Sequence, residues 1–192
     1  ELNRLQQEDI IKEVPDNDET DWISPIVIVP KQDEQIRLCV DMRAANTAIK
    51  RVCHPIATMR DISLDLSKWA KYFSKLDMSQ AYHQRELTPS SRKITTLILT
   101  THAGLYRFKR LNYGTNSAAE IFQNTLQQLL HGIDGVRNIA DDIIIFGSSY
   151  DEHDKVLEEC LLRLETHGLT LNMGKCKFLK QNLEFFWHDL FH

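Results

Sequence analysis

Two adjacent aspartates, Asp141 and Asp142, stand between two apolar runs at residues 136–140 and 143–146. Neighbouring residues in a strand point to opposite faces, so a strand interior would force at least one of these acids into an apolar layer. The pattern therefore reads as strand, turn, strand, with both carboxylates at the tip of a hairpin. Crowding them there is unfavourable unless a divalent cation lies between them. Asp77 closes another apolar stretch, residues 72–76, just before the polar Ser79-Gln80. An acid at a strand end is often a simple cap, and an Asp-Asp pair is often a polar turn. Three carboxylates at the tips of two strands, however, match what two Mg²⁺ ions need when they clamp a transferring phosphoryl group.

The remaining pattern predicts an α+β chain. Residues 1–13 carry Leu2, Leu5, Ile10 and Ile11 between polar positions, which predicts an amphipathic helix. An acidic loop follows at 15–21. Residues 23–29 and 36–42 have strand length and flank the polar segment 31–35, which predicts a hairpin. Residues 95–101 and 105–111 are rich in strand formers and meet at Ala103-Gly104. Ser117 with Glu120 forms a capping box before Phe122, Leu126, Leu129 and Leu130, which share one helix face. A second box, Ser149 with Glu152, opens a helix through Val156, Leu157, Cys160, Leu161 and Leu164, closed by His167-Gly168. Residues 183–187 read as a last strand. Helices alternating with antiparallel hairpins define the class.

Charge is unevenly distributed along the chain. Residues 1–30 carry 2 basic against 8 acidic side chains, residues 31–110 carry 15 against 7, and residues 111–192 carry 6 against 12. The net charge of -4 thus conceals a basic middle third. By itself that is first an unevenly charged surface, but it also suits a chain that holds phosphates in one region and metal in another. No apolar run approaches the ~18 residues of a membrane span. The four cysteines, Cys39, Cys53, Cys160 and Cys176, form no CxxC pair, so neither a zinc knuckle nor a disulfide framework is expected. A reducing intracellular compartment is the default expectation.

Several blocks share one resemblance. Residues 73–84 (FSKLDMSQAYHQ) resemble the LDLxxGYHQ block of Ty3/gypsy-type long-terminal-repeat retrotransposon reverse transcriptases. Residues 37–43 with Asn46 resemble the family's R-x-C-V-D-x-R-x-x-N block. Residues 111–114 with 121–123 resemble its FG…FQ block, and residues 138–144 occupy its Y-x-D-D hairpin. Residues 169–172, Lys175-Cys176 and 183–186 complete the order, so the likeness runs over nearly the whole chain.

The resemblance implies a right-hand polymerase with fingers at 1–70 and 85–112 and palm at 71–84 and 113–192. The palm would be an antiparallel sheet backed by helices. Thumb, RNase H and integrase would belong to the rest of a polyprotein and are absent from these 192 residues. Asp77, Asp141 and Asp142 would be catalytic metal ligands for two Mg²⁺ ions, or Mn²⁺ in their place, with the Met78 carbonyl beside them. Lys31, Arg37, Tyr82, Tyr113 and Gly114 would bind the deoxynucleoside triphosphate, Tyr82 by excluding a 2′-hydroxyl. Phe186, Trp187 and His188 would grip the primer. The implied partners are a primed RNA or DNA template and no membrane, in the cytoplasm or a virus-like particle rather than outside the cell.

Some residues depart from the family pattern. Ile139 replaces the hairpin tyrosine and Trp187 a glycine in the primer grip. Arg85 stands where an apolar residue is usual, Ala57 replaces a proline, and the 96–101 strand reads about two residues long. These departures support a rival expectation, an inactive decayed or domesticated remnant that at most binds nucleic acid. A second rival is an RNA-templated RNA polymerase on a similar palm, which Tyr82 opposes.

Overall fold

In the computed structural model, residues 1–15, 17–20, 22–30, 36–51, 69–98, 104–185 and 188–190 are described. The chain forms two compact units, one of Glu1–Val52 with Tyr82–Ala118 and the other of Cys53–Ala81 with Ala119–His192.

In the first unit, helix α1 (Leu2–Gln7) leads into strand β1 (Ile11–Glu13). The helix expected over 1–13 is thus cut short. Asp9 takes the left-handed conformation, φ 55°, which Asp tolerates better than most residues and which breaks the helix. Ile10 and Ile11 are then buried by pairing, with Ile11 opposite Phe108, rather than by a helix face. Strands β2 (Ser24–Pro30) and β3 (Ile36–Val40) form the expected antiparallel hairpin, Ile26 opposite Val40. A short helix α2 (Arg43–Asn46) follows. Beyond the second unit's first segment come α3 (Pro89–Arg92), β5 (Thr96–Ile98) and β6 (Leu105–Phe108). The sheet order is β1-β6-β5-β2-β3, antiparallel except where β2 runs parallel to β5. Leu5, Ile10, Ile11, Val40, Met42, Leu97 and Phe108 form its core. The extra length expected in the 96–101 strand lies partly outside the described residues, as do Ala57 and Lys31. Arg85 is exposed, so its charge costs little there.

The second unit is built on an antiparallel sheet ordered β7-β8-β4-β9. Its strands are β4 (Tyr72–Asp77), β7 (Val136–Ile139), β8 (Asp142–Gly147) and β9 (Lys177–Lys180). Helix α4 (Ala118–Leu130) precedes β7, and helix α5 (Tyr150–Thr166) follows β8. Ile143 to Phe146 are all buried, which marks β8 as an inner strand covered on both faces. Each such side chain contributes about 1.5–3 kcal/mol through burial. Helix α5 packs on β8 and β4 through His153, Cys160 and Leu164. It starts where predicted, with the Ser149 hydroxyl accepting from the Glu152 N–H at 3.2 Å. Glu152 reaches back one residue further than a standard capping box, to the Ser148 N–H at 2.9 Å. The final strand expected at 183–187 is β10 (Leu183–Phe185), paired with β11 (His188–Leu190).

Candidate active site

Strand pairing brings the first two acids together. Asp77, the last residue of β4, lies directly opposite Asp142, the first residue of β8. Directly opposed residues of an antiparallel pair have Cβ atoms about 4.5–5.5 Å apart. The inner strands fix this register, since a one-residue slip of β4 would bring the charged Lys75 to the face where Leu76 is buried.

Asp141 reaches the same end through the turn. Ile139 pairs with Asp142, so Ala140 and Asp141 form a two-residue hairpin loop. Ala140 has φ 51°. That conformation suits glycine at the first position of such a loop and strains alanine. Helix α4 holds the turn through Gln123, whose side chain is fully buried. Its Oε1 accepts the Ala140 N–H, and its Nε2 donates to the Asn138 carbonyl at 3.0 Å. Asn138 Nδ2 in turn donates to the Ala140 carbonyl at 3.4 Å.

The chain after Asp77 is pinned from the other side. The Asn172 N–H donates to the Asp77 carbonyl at 2.8 Å, and the Ser79 N–H donates to the Thr170 carbonyl at 3.0 Å. Met78 bridges Leu171, with its side chain buried. The Asp77 N–H donates to Cys176 Sγ at 3.4 Å.

The acids interact electrostatically. Burial raises the Asp77 pKa above the usual carboxylate value, with Lys175 opposing and Asp142 adding. Burial likewise raises that of Asp141, with its backbone hydrogen bond opposing and Asp142 and Asp77 adding. Lys75 Nζ sits 2.8 Å from Asp142 Oδ2. Among the described residues, no three His, Cys, Asp or Glu side chains converge closely enough to hold a metal ion as they stand. The lysine already engages one of the three acids.

Ile139 joins Ala70, Phe73, Ile144, Phe146 and Leu183 in the core. An apolar side chain therefore suits that position, and the departure from tyrosine leaves no buried hydroxyl to satisfy.

In the first unit the rings of Tyr82 and Tyr113 lie 4.8 Å apart, with His83 edge-on to Tyr113 at 5.1 Å. Gly114 has φ 99°, and a Cβ there would come within 2.8 Å of the Val40 carbonyl oxygen. Asn46 Nδ2 donates to the Gly114 carbonyl at 2.9 Å, which ties the asparagine of one block to the glycine of another. The Arg37 backbone pairs with Val29 in the β2–β3 hairpin. The side chains of Arg37 and His188 lie outside the described residues, as do Lys31, Phe186 and Trp187 entirely.

Sequence reasoning named the acids and missed their supports. Lys75 could have been found, because it stands two residues before Asp77 on the same strand face. Gln123 was visible within a motif block, but only tertiary contact reveals what it holds. Nothing in the local pattern marks Cys176 or the 170–172 segment as neighbours of Asp77.

Known proteins resemble this chain. The chain is 33% identical over 192 residues to the retrovirus-related Pol polyprotein from transposon opus of Drosophila melanogaster, covering 96% of this chain and 18% of that protein. It is 30% identical over 151 residues to the corresponding polyprotein from transposon gypsy of the same species, covering 78% of this chain and 14% of that one. The chain thus spans less than a fifth of these relatives. A foamy viral protease-reverse transcriptase solved in complex with double-stranded DNA superposes with a TM-score of 0.84 at 24% identity, over 97% of this chain and 32% of that one. That likeness shows the fold, a right-hand polymerase arrangement of the α+β class. With residues 29–188 matching the family model for reverse transcriptase (RNA-dependent DNA polymerase), the chain belongs to that family.

Proposed function

We propose that this chain carries the catalytic centre of an RNA-directed DNA polymerase, which extends a primer 3′ end with deoxynucleotides on an RNA or DNA template. The observation that carries this reading is Asp77 facing Asp142 across two paired strands, with Asp141 in the adjoining turn. The relatives are Pol polyproteins, which supports reading the chain as one segment of such a product. Thumb, RNase H and integrase would then be its covalent companions, inside the cell or a virus-like particle.

The residues fit Mg²⁺. This ion keeps several waters and takes only one or two protein carboxylates, completing its shell with substrate phosphates. Asp77 and Asp141 would hold the two ions, with Asp142 joining as it leaves Lys75. Met78, whose side chain is committed to the core, would offer its carbonyl. Mg²⁺, or Mn²⁺ in its place, supplies Lewis-acid stabilisation of charge on the phosphate oxygens. In the reaction the primer 3′-oxygen bonds to the α-phosphorus of the incoming nucleotide and the α–β bridging P–O bond breaks. Pyrophosphate departs with that electron pair, and the hydroxyl proton passes to water. Tyr82, against Tyr113, would lie under the sugar and exclude a 2′-hydroxyl. Gly114 would let backbone approach the nucleotide, Lys31 and Arg37 would hold its triphosphate, and Phe186, Trp187 and His188 would grip the primer.

Primer extension on poly(rA)/oligo(dT) with Mg²⁺ tests the proposal. Extension that disappears in a variant carrying Asp141→Asn and Asp142→Asn is the expected result. The Lys75–Asp142 ion pair favours a second reading, an inactive remnant that keeps the fold. Absence of extension even with a thumb segment restored would establish it. Preference for ribonucleotides would instead point to RNA synthesis.

A further inference from the structure

Among the described residues strand β7 is an edge strand, paired only with β8. An edge strand presents outward N–H and C=O groups that need partners when buried. At the end nearest the acids two of those partners come from one side chain. The Gln123 amide accepts from the Ala140 N–H and donates to the Asn138 carbonyl, spanning the buried Ile139. A neighbouring strand would supply the same alternation of acceptor and donor. Gln123 therefore works as a one-residue surrogate strand.

Its target is the strained residue. Ala140 holds a left-handed φ that an alanine leaves readily when nothing restrains it. Relaxation there would swing Asp141, the next residue, away from Asp77. We propose that Gln123 is a positioning residue that holds the Ala140–Asp141 turn in its strained form and thereby sets the reach of the Asp141 carboxylate. This rests on the metal site proposed above.

Only a side chain with one acceptor and one donor serves both groups. Gln123→Met keeps the bulk and loses both bonds. Gln123→Glu keeps the acceptor but turns an oxygen toward the Asn138 carbonyl. Binding of Mn²⁺ alone to the 192-residue chain, followed by the electron paramagnetic resonance of the free ion, supplies a readout independent of turnover. Gln123→Met is expected to weaken Mn²⁺ binding about tenfold, since a buried group left unpaired is costly. Adding Ala140→Gly, which removes the strain, should recover at least about threefold of that loss. A purely structural glutamine would show equal losses in both backgrounds, and that result overturns the proposal.

Asp141→Asn separates this inference from the reading beneath it. If that variant binds Mn²⁺ as the unaltered chain does, the metal site itself is wrong. If it binds weakly while Gln123→Met binds normally, only the role of Gln123 fails. Should Gln123→Met not fold, hydrogen exchange of the Ala140 amide in the unaltered chain decides. Protection like that of the inner strand β8 supports the clamp, and exchange as fast as an exposed turn refutes it.

Discussion

Replacing Lys75 with methionine should weaken the metal-free chain and strengthen its hold on a divalent cation. The lysine ammonium lies 2.8 Å from Asp142 Oδ2, with the two side chains only 22% and 20% exposed. A hydrogen bond between charged groups of this kind is worth about 1.5–3 kcal/mol. Methionine keeps the apolar stem and removes the charge, leaving Lys175 as the other lysine acting on Asp77. In a chain of this size each kcal/mol lost lowers the melting temperature by roughly 2–4 °C. The metal-bound state responds in the opposite sense. A lysine about 6 Å from a divalent ion repels it by roughly 1.4 kcal/mol at the dielectric of water, and by about 5.5 kcal/mol at an effective value near 20. The lower figure alone is about tenfold in affinity. Lys75→Met should therefore melt earlier without metal, bind Mn²⁺ at least about tenfold more tightly, and gain more from saturating Mn²⁺. Titration by electron paramagnetic resonance and paired thermal melts would measure both. Mn²⁺ binding that is unchanged or weaker in the variant would refute the idea that lysine and metal compete for Asp142.

One part-buried and one fully buried histidine set an acid limit. Burial, aided by Arg4 and Arg110 against Glu8 and Glu1, lowers the His83 pKa to about 4, and burial also lowers that of His153. Both groups take up protons more readily when unfolded, so their contribution is complete above about pH 6.5 and falls away below it, for His83 down to about pH 4. For His83 this is on the order of 3 kcal/mol, and urea unfolding at pH 7 and 5 should show a smaller difference in His83→Asn. Gly114→Ala should cost at least about 2 kcal/mol, because its φ is 99° and the added Cβ meets the Val40 carbonyl at 2.8 Å; a melt indistinguishable from the parent would contradict this. Ser149→Ala should cost about 1 kcal/mol by removing the cap on α5, read from the same melts.

The elements legible in the sequence were those whose local pattern and tertiary role agree. Residues 143–146 are apolar without interruption because β8 is covered on both faces, and Ser149 opens a helix because its hydroxyl caps one. The N-terminal segment misled because Ile10 and Ile11 fit a helical stripe and a paired strand equally well. A strand partner some 97 positions away, Phe108 against Ile11, decided between them. The acids were readable because an Asp-Asp pair between apolar runs has few places to go. The parts played by Lys75 and Gln123 were not, although the strand alternation does put Lys75 on the face of Asp77, since a lysine in a strand and a glutamine on a helix have ordinary uses on any surface. What distinguishes them is partner and burial, which arise only when β4 meets β8 and α4 meets β7.

Several unfavourable features of the second unit gather at one end of one sheet. Ala140 is strained, Asp77 and Asp141 have raised pKa values through burial and the repulsion of neighbouring carboxylates, and Lys75 is drawn onto Asp142. A backbone outlier of this kind costs roughly 1–3 kcal/mol, and the crowded acids add to it. Behind them stand Phe73, Leu76 and Ile143 through Phe146, all buried, each contributing about 1.5–3 kcal/mol. That interior outweighs the tip several-fold, so the sheet stays in register while its end remains unsatisfied. A mobile loop could not hold such an arrangement, because relaxing φ at Ala140 would move Asp141 away from the two acids fixed by the strand register. Gln123 closes that escape from the helix side, and Asn172 fixes the Asp77 carbonyl from the other. The repulsion left among the carboxylates is the part a divalent cation would relieve, so under the proposed function it is the rigidity of the inner strands that would let these acids serve as ligands.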